Sequence, residues 1–292
     1  MTDEITFALD IGTRTIVGIL LKEKEEEYQI IHSAVREHQT RAMLDGQIHN
    51  VSKVAEAVAE VKAELEEKSG LSLKNVAIAA AGRALKTITQ NHSIELERSR
   101  YIEEEDLESL ELKTIQQAQK KLKNSSTQNS KNETDSGLES ENSEQNNVDY
   151  HFVGYTVREY KLDGMELGDL LGQRGKLMEV ELVATFLPRI VIDSLLSVIN
   201  RVDLEVEHLT LEPIAASHVV IPESMSNFNL ALVDIGAGTS DIAITKDGSI
   251  TGYAMVPVAG DEITEIISEE FLIDYNNAER VKCSLNEKEK LE

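Results

Sequence analysis

Residues 9–19, LDIGTRTIVGI, and residues 233–244, VDIGAGTSDIAI, decide the fold. Each runs from an apolar strand through Asp-Ile-Gly to a threonine and into a second apolar strand, the pattern of a tight hairpin. A turn that lets a phosphate approach closely needs residues without a Cβ, and glycine also accepts positive φ at low cost. Successive backbone N–H groups in such a turn form an anion-binding concavity. Gly12 and Thr13 supply it in the first hairpin; Gly236, Ala237, Gly238 and Thr239 supply it in the second. A carboxylate beside phosphates is repelled unless a cation lies between them. Asp10 and Asp234, one before each turn, therefore read as ligands of hydrated Mg2+, and Asp241 can join the same hydration shell. One such hairpin is often only a turn. Two copies far apart in one chain read as opposed halves of a clamp for a nucleoside triphosphate.

Composition narrows the field. The 292 residues suffice for about two domains. A hydrophobic fraction of 41% supports real cores, and with 4% aromatics and no tryptophan their packing is aliphatic. The net charge of −24, from 53 acidic and 29 basic residues, argues against a nucleic-acid partner and against direct binding to an anionic membrane surface. The lone cysteine, Cys283, permits no disulfide within the chain, which fits a reducing compartment. No apolar run reaches the ~18 residues of a membrane span. The opening MTDE leads into a strand with no signal-peptide pattern. These features place the chain in the cytoplasm. The seven histidines have no metal-ligand spacing, and no Ser/His/Asp arrangement stands out.

Along the chain, residues 5–22 and 28–35 read as strands, and 41–50 as a loop. Val51, Val54, Val58, Val61 and Leu65 mark one face of a helix over 51–69, with Asn50 as N-cap and Gly70 as stop. Residues 75–81 read as a buried strand. Strand, strand, helix, strand opens an α/β domain. Residues 86–97 alternate as a strand. Residues 103–122 begin with acids and end with lysines, which suits a helix dipole. Residues 123–147 have almost no apolar content and read as disordered. Strands follow at 151–162 and 177–187, then a helix at 189–201, a strand at 204–211 and a short helix that Pro213 opens. The second hairpin region covers 229–258, with Asp247-Gly248 as a turn, and helices follow at 261–272 and 276–282. Asp169 and Glu166 read as solvated surface residues.

Two further residues bear on chemistry. Glu212 ends a strand directly before Pro213, where its carboxylate can order an attacking water. Gly260 precedes a helix whose N-terminus can admit a phosphate, while Asp261 either serves that site or caps the helix.

The two hairpins, together with LEPIAAS at 211–217 and VAGDEIT at 258–264, resemble the actin-like ATPases. RAMLDGQIHN, the helix after it and NVAIAAAG are similar to the FtsA-like branch of that superfamily, the bacterial cell-division proteins. The resemblance implies an α/β, ribonuclease H-like actin fold with an inserted strand-helix-strand-strand subdomain. It divides the chain into a first-lobe part over 1–85, the insertion over 86–187, a return to the first lobe over 188–225 and the start of a second lobe over 226–292. It implies ATP and Mg2+ as ligands. Gly12, Thr13, Arg14, Gly236, Ala237, Gly238, Thr239 and Gly260 would hold the nucleotide, Asp10, Asp234 and Asp241 the metal, and Glu212 the water. It also implies a scaffold with slow or no hydrolysis, self-association into filaments, and a tubulin-like FtsZ-type partner recruited by a lobe not found in this chain. The family's later glycine-rich adenosine segment and its membrane-tethering helix have no match here, so the chain reads as a fragment with no membrane anchor of its own, reaching the inner face of the membrane only through other segments or partners. A pilus-assembly adaptor resembling PilM and a heat-shock-chaperone-like ATPase are the rival readings.

Overall fold

A computed structural model describes residues 5–24, 27–39, 41–44, 46–80, 85–129, 148–225, 228–246 and 249–285. The first hairpin is made by β1 (Ile5–Ile11) and β2 (Thr15–Lys24), and β3 (Glu27–Glu37) adds antiparallel to β2. A small hairpin, β4 (Met43–Leu44) and β5 (Gln47–Ile48), turns at Gly46 with φ 74°, where a plain loop was expected. Helix α1 (Val51–Ser69) starts where Asn50 Oδ1 accepts from the Lys53 amide at 3.0 Å, and stops where Gly70 turns left-handed at φ 69°. Strand β6 (Asn75–Ala80) follows.

The chain then leaves this layer for β7 (Lys86–Tyr101), α2 (Glu104–Asn129), β8 (Tyr150–Leu162), β9 (Met165–Leu167) and β10 (Arg174–Pro188). These strands form their own antiparallel sheet in the order β7-β10-β8-β9. Helix α2 covers one face, burying Ile115, Ala118 and Leu122 against Leu182, Ala184 and Phe186. Its acidic first turn is held by Arg100, which donates to both oxygens of Asp106 at 2.6 and 2.7 Å. The expectation of disorder from residue 123 is corrected over 123–129, which continue α2. Once a helix is nucleated, each added residue gains a backbone bond, so polar residues can prolong it. Residues 130–147 lie outside the described residues.

Helix α3 (Arg189–Arg201) and β11 (Glu205–Leu211) return to the first layer. Its sheet has the order β11-β6-β1-β2-β3, with β6 parallel to β1 and to β11. The main core lies between this sheet and α1 with α3. Gly18 sets the spacing. A Cβ there would stand 2.5 Å from Val61 Cγ1 and 2.9 Å from Leu65 Cδ1, so only glycine lets α1 lie this close to β2.

Helix α4 (Glu212–Val220), with Pro213 in its first turn, crosses to the second hairpin, β12 (Ala231–Ile235) and β13 (Ser240–Lys246). Strand β14 (Ser249–Val256) completes a three-stranded antiparallel sheet, and α5 (Gly260–Phe271) and α6 (Tyr275–Ser284) pack on each other. The Asp247-Gly248 turn lies outside the described residues. One face of this sheet buries Ala243, Ile250 and Tyr253, with Ile214 of α4 packed against them. Among the described residues no helix is long and apolar enough to cross a membrane.

Candidate functional site

The two hairpins close alike. The Gly12 amide donates to Thr15 O at 2.9 Å, and the Gly236 amide donates to Thr239 O at 2.9 Å. Their tips face and touch each other. A Cβ on Gly238 would lie 2.8 Å from Thr13 Cγ2, and one on Gly46 would lie 3.0 Å from Thr239 Cγ2. The Gly46 amide also donates to Thr13 Oγ1 at 3.2 Å. Gly46 went unnoticed in the sequence, although its Asp-Gly pair was a turn signal.

These contacts form a partition between two chambers. The outer, about 560 Å³, is lined by Thr13, Arg14, Arg41, Gly238, Asp261 and Tyr275, among others. The inner, about 40 Å³, holds Gly12, Thr13, Gly46, Thr239 and Glu212.

Glu212 lines the inner chamber, and Asp10, Asp241 and Asp234 stand close enough for their charges to act on it. Asp234 pairs directly across the ladder with Asp241. Burial, then the charge of Asp234, pushes Asp241 up to about 6. Burial and Asp234 raise Asp10 in the same way. Burial raises Glu212 well above the usual carboxylate range, reinforced by Asp10, Asp241 and Asp234. Among the described residues no side-chain cation offsets the charge on Asp10, Glu212 or Asp241. This all-oxygen donor set fits a hard divalent cation. Among the described residues no three His, Cys, Asp or Glu side chains stand close enough together to ligate a metal directly, so a cation here would be held through its water shell.

The outer chamber departs from the sequence reading. The Gly260 amide donates to Gly236 O at 3.1 Å, and the Asp261 amide donates to Ala237 O at 2.7 Å. The first amides of α5 therefore cap the second hairpin, and the Gly260 amide is already engaged. Gly260 is needed for close approach instead: a Cβ would meet Gly236 O at 3.2 Å and Lys282 Nζ at 3.3 Å. Asp261 does not cap α5. It accepts from Tyr275 Oη at 2.6 Å and from Arg14 at 2.5 Å. Arg14 also donates to Glu279 and, at 2.9 Å, to Tyr275 Oη. Burial disfavours the charge on Glu279, but Arg14, Lys282 and Thr264 outweigh it and hold its carboxyl down to about 2. Arg41 donates to Glu265 and lies 5.0 Å from the Tyr275 ring centre.

Sequence reasoning missed Arg41, Tyr275, Glu279 and Lys282. Tyr275, Glu279 and Lys282 follow i, i+4, i+7 spacing, a polar stripe along one face of α6 that could have flagged them. His38 was missed too. Its Nε2 stands 3.1 Å from Gly12 O, and burial lowers its pKa.

Comparison with known proteins adds ancestry to this geometry. The family model described as "Cell division protein FtsA" matches residues 231–292. The FtsA of Pseudomonas aeruginosa is 23% identical over 275 residues, 94% of this chain and 59% of its own length. That of Streptococcus pneumoniae is 22% identical over 281 residues, 96% of this chain and 55% of its own. The Bacillus subtilis FtsA is 30% identical over 134 residues, 46% of this chain and 30% of its own. The chain is similar to FtsA cell-division proteins over most of its length. This FtsA-like chain spans a little over half the length of the first two relatives. Among solved structures, a PilM–PilN type IV pilus biogenesis complex superposes with TM-score 0.57 at 15% identity, covering 96% of this chain and 69% of that one. The ethanolamine utilization protein EutJ of Carboxydothermus hydrogenoformans gives TM-score 0.51 at 17% identity, covering 97% and 62%. At these identities the likeness extends to the fold and no further.

Proposed function

We propose that the chain is the nucleotide-binding part of an FtsA-like cell-division scaffold that binds ATP with Mg2+. The observation that carries this reading is the convergence of Asp10, Asp234, Asp241 and Glu212 at two matched glycine hairpins, with no side-chain cation among the described residues to balance Asp10, Glu212 and Asp241. Asp10, Asp234 and Asp241 hold hydrated Mg2+, which supplies charge compensation for the phosphates. Gly12, Thr13, Arg14, Gly236, Ala237, Gly238 and Thr239 receive the phosphates, and Gly260 brings α5 against the second hairpin. Glu212, whose raised proton affinity suits a base, orients water for slow hydrolysis. The sheet β7-β10-β8-β9 with α2 is the inserted subdomain, through which copies associate into filaments. Other division proteins, an FtsZ-type partner among them, and the inner membrane face are reached through parts of the scaffold outside this chain.

Calorimetry with Mg-ATP tests the reading, using the 292-residue chain and its Asp234→Ala variant. Binding that the variant abolishes supports the clamp. Equal binding by both removes Asp234 from the site, and no binding by either leaves an actin-fold interaction module without nucleotide.

A further inference from the structure

The two hairpins match in one more respect: a carbonyl at each tip is tied off. In the second hairpin the Gly236 carbonyl accepts from the Gly260 amide at 3.1 Å, a main-chain bond from the start of α5. The corresponding carbonyl of the first hairpin, that of Gly12, has a side chain instead, with His38 Nε2 at 3.1 Å. His38 follows directly on β3, and its backbone amide donates to Arg14 O at 2.9 Å. One residue thus holds two carbonyls of the tip, Gly12 O through its ring and Arg14 O through its main chain.

The contact fixes the state of the ring. A carbonyl oxygen carries no hydrogen, so a bond here requires Nε2 to carry the proton and donate. The ring is half-buried, and burial lowers its pKa, which favours the neutral form with a single N–H. That N–H is then on Nε2, and Nδ1 is bare.

A peptide unit is planar and trans, so its C=O and N–H point in opposite directions. Anchoring the Gly12 carbonyl on the ring therefore aims the Thr13 amide away from the ring. Gly12 and Thr13 line the inner chamber with Glu212, whereas His38 lines the outer one. Without the anchor this unit can turn over, because Gly12 has no side chain to hinder the rotation. A turned unit would present the carbonyl oxygen to an incoming phosphate and replace an attractive dipole with a repulsive one.

We propose that His38 is a positioning residue for phosphate binding, holding the Gly12–Thr13 peptide so that the Thr13 amide faces the phosphate. The second hairpin needs no such side chain, since α5 supplies the equivalent bond from its main chain. The inference rests on the nucleotide reading of the cleft and adds to it a residue outside both hairpins.

Two variants separate shape from hydrogen bonding. His38→Phe keeps a ring without a donor, and His38→Gln keeps an N–H that can reach the carbonyl. In calorimetry, Mg-ATP and Mg-pyrophosphate should both bind about fivefold more weakly to His38→Phe, by the same factor because the phosphates are common to them. Binding to His38→Gln should stay close to wild type, a rescue that loss of packing alone would not give. Binding unchanged in His38→Phe, or weakened as much in His38→Gln, would overturn the positioning role. Weakening confined to Mg-ATP would overturn it too, by placing the effect at the nucleoside. NMR of the ligand-free chain tests the anchor without nucleotide. The wild-type His38 ring should carry its proton on Nε2, and the Gly12 carbonyl carbon should shift in His38→Phe and return in His38→Gln. A proton on Nδ1 with a bare Nε2 would overturn the anchor. If the wild-type chain binds neither ligand while the anchor is intact, the nucleotide reading fails and takes the phosphate role with it. Should His38→Phe not fold, His38→Ala takes its place.

Discussion

The first hairpin lies under a helix, and the second, nearly the same in sequence, lies open. Leu9 and Ile11 are 3% and 6% exposed, while their counterparts Val233 and Ile235 are 50% and 67% exposed. The registers match, with Leu9 opposite Gly18 and Val233 opposite Ile242. Gly18 admits α1 against β2, whereas the second sheet carries Ile242 at that place and α5 packs on α6 instead. Strand β1 also has β6 on its second edge, and among the described residues β12 has no strand there. Two copies of one local pattern therefore need not make two copies of one packing unit. The hairpin shape follows from its own residues, but burial follows from what arrives to cover it.

The comparison can be broken most directly by trimming equivalent side chains. Leu9→Ala should cost about 3 kcal/mol in urea unfolding, and Val233→Ala under about 0.5 kcal/mol. Equal losses would mean the second face is covered in solution. Next, Gly18→Ala should cost about 2 kcal/mol, because the added methyl group must displace Val61 and Leu65. A neutral result would show that α1 is free to move away.

The hairpins also differ in charge, since Asp241 stands where the first hairpin has Val17. The folded-state pKa of Asp241, about 6, lies above its ordinary value of 3.8, so the folded state binds this proton more tightly. Its ionisation therefore removes stability as pH rises from about 4 to 6. Without divalent cation, Asp241→Asn should raise stability at pH 7 by about 1.5 kcal/mol, a gain that fades below pH 4. Thermal melts across that range check it, and a variant less stable than wild type at pH 7 would contradict the repulsion. The smallest effect belongs to Glu279, which is held down to about 2 against an ordinary 4.5. Its contribution is present above pH 4.5 and is lost as pH falls toward 2. Glu279→Gln should therefore cost about 0.5 kcal/mol at pH 7 after allowance for solvent screening, and nothing near pH 2.

Local patterns were legible wherever one element carries its own cause. Helix α1 came from its apolar spacing, with Asn50 and Gly70 marking its ends, and the hairpins came from glycine between alternating strands. The close of α2 was misjudged because loss of apolar content argues against burial, not against continued backbone bonding. Asp261 was weighed as a cap because it sits beside a helix start, but an arginine 247 positions away holds it. Gly260 was read as a phosphate gate because a helix start normally leaves free amides, yet the second hairpin already occupies them.

The sequence by itself determined the two matched hairpins, their aspartates and Glu212 as candidates, and the alternation of strands and helices, because each depends on neighbours within a few residues. Only the tertiary structure decided that the hairpin tips meet, that Arg14 pairs with Glu279 some 265 positions away, and that one sheet is covered while its twin is open. Such contacts join segments far apart in the chain, and the side chains that make them carry no local periodicity to announce their partners.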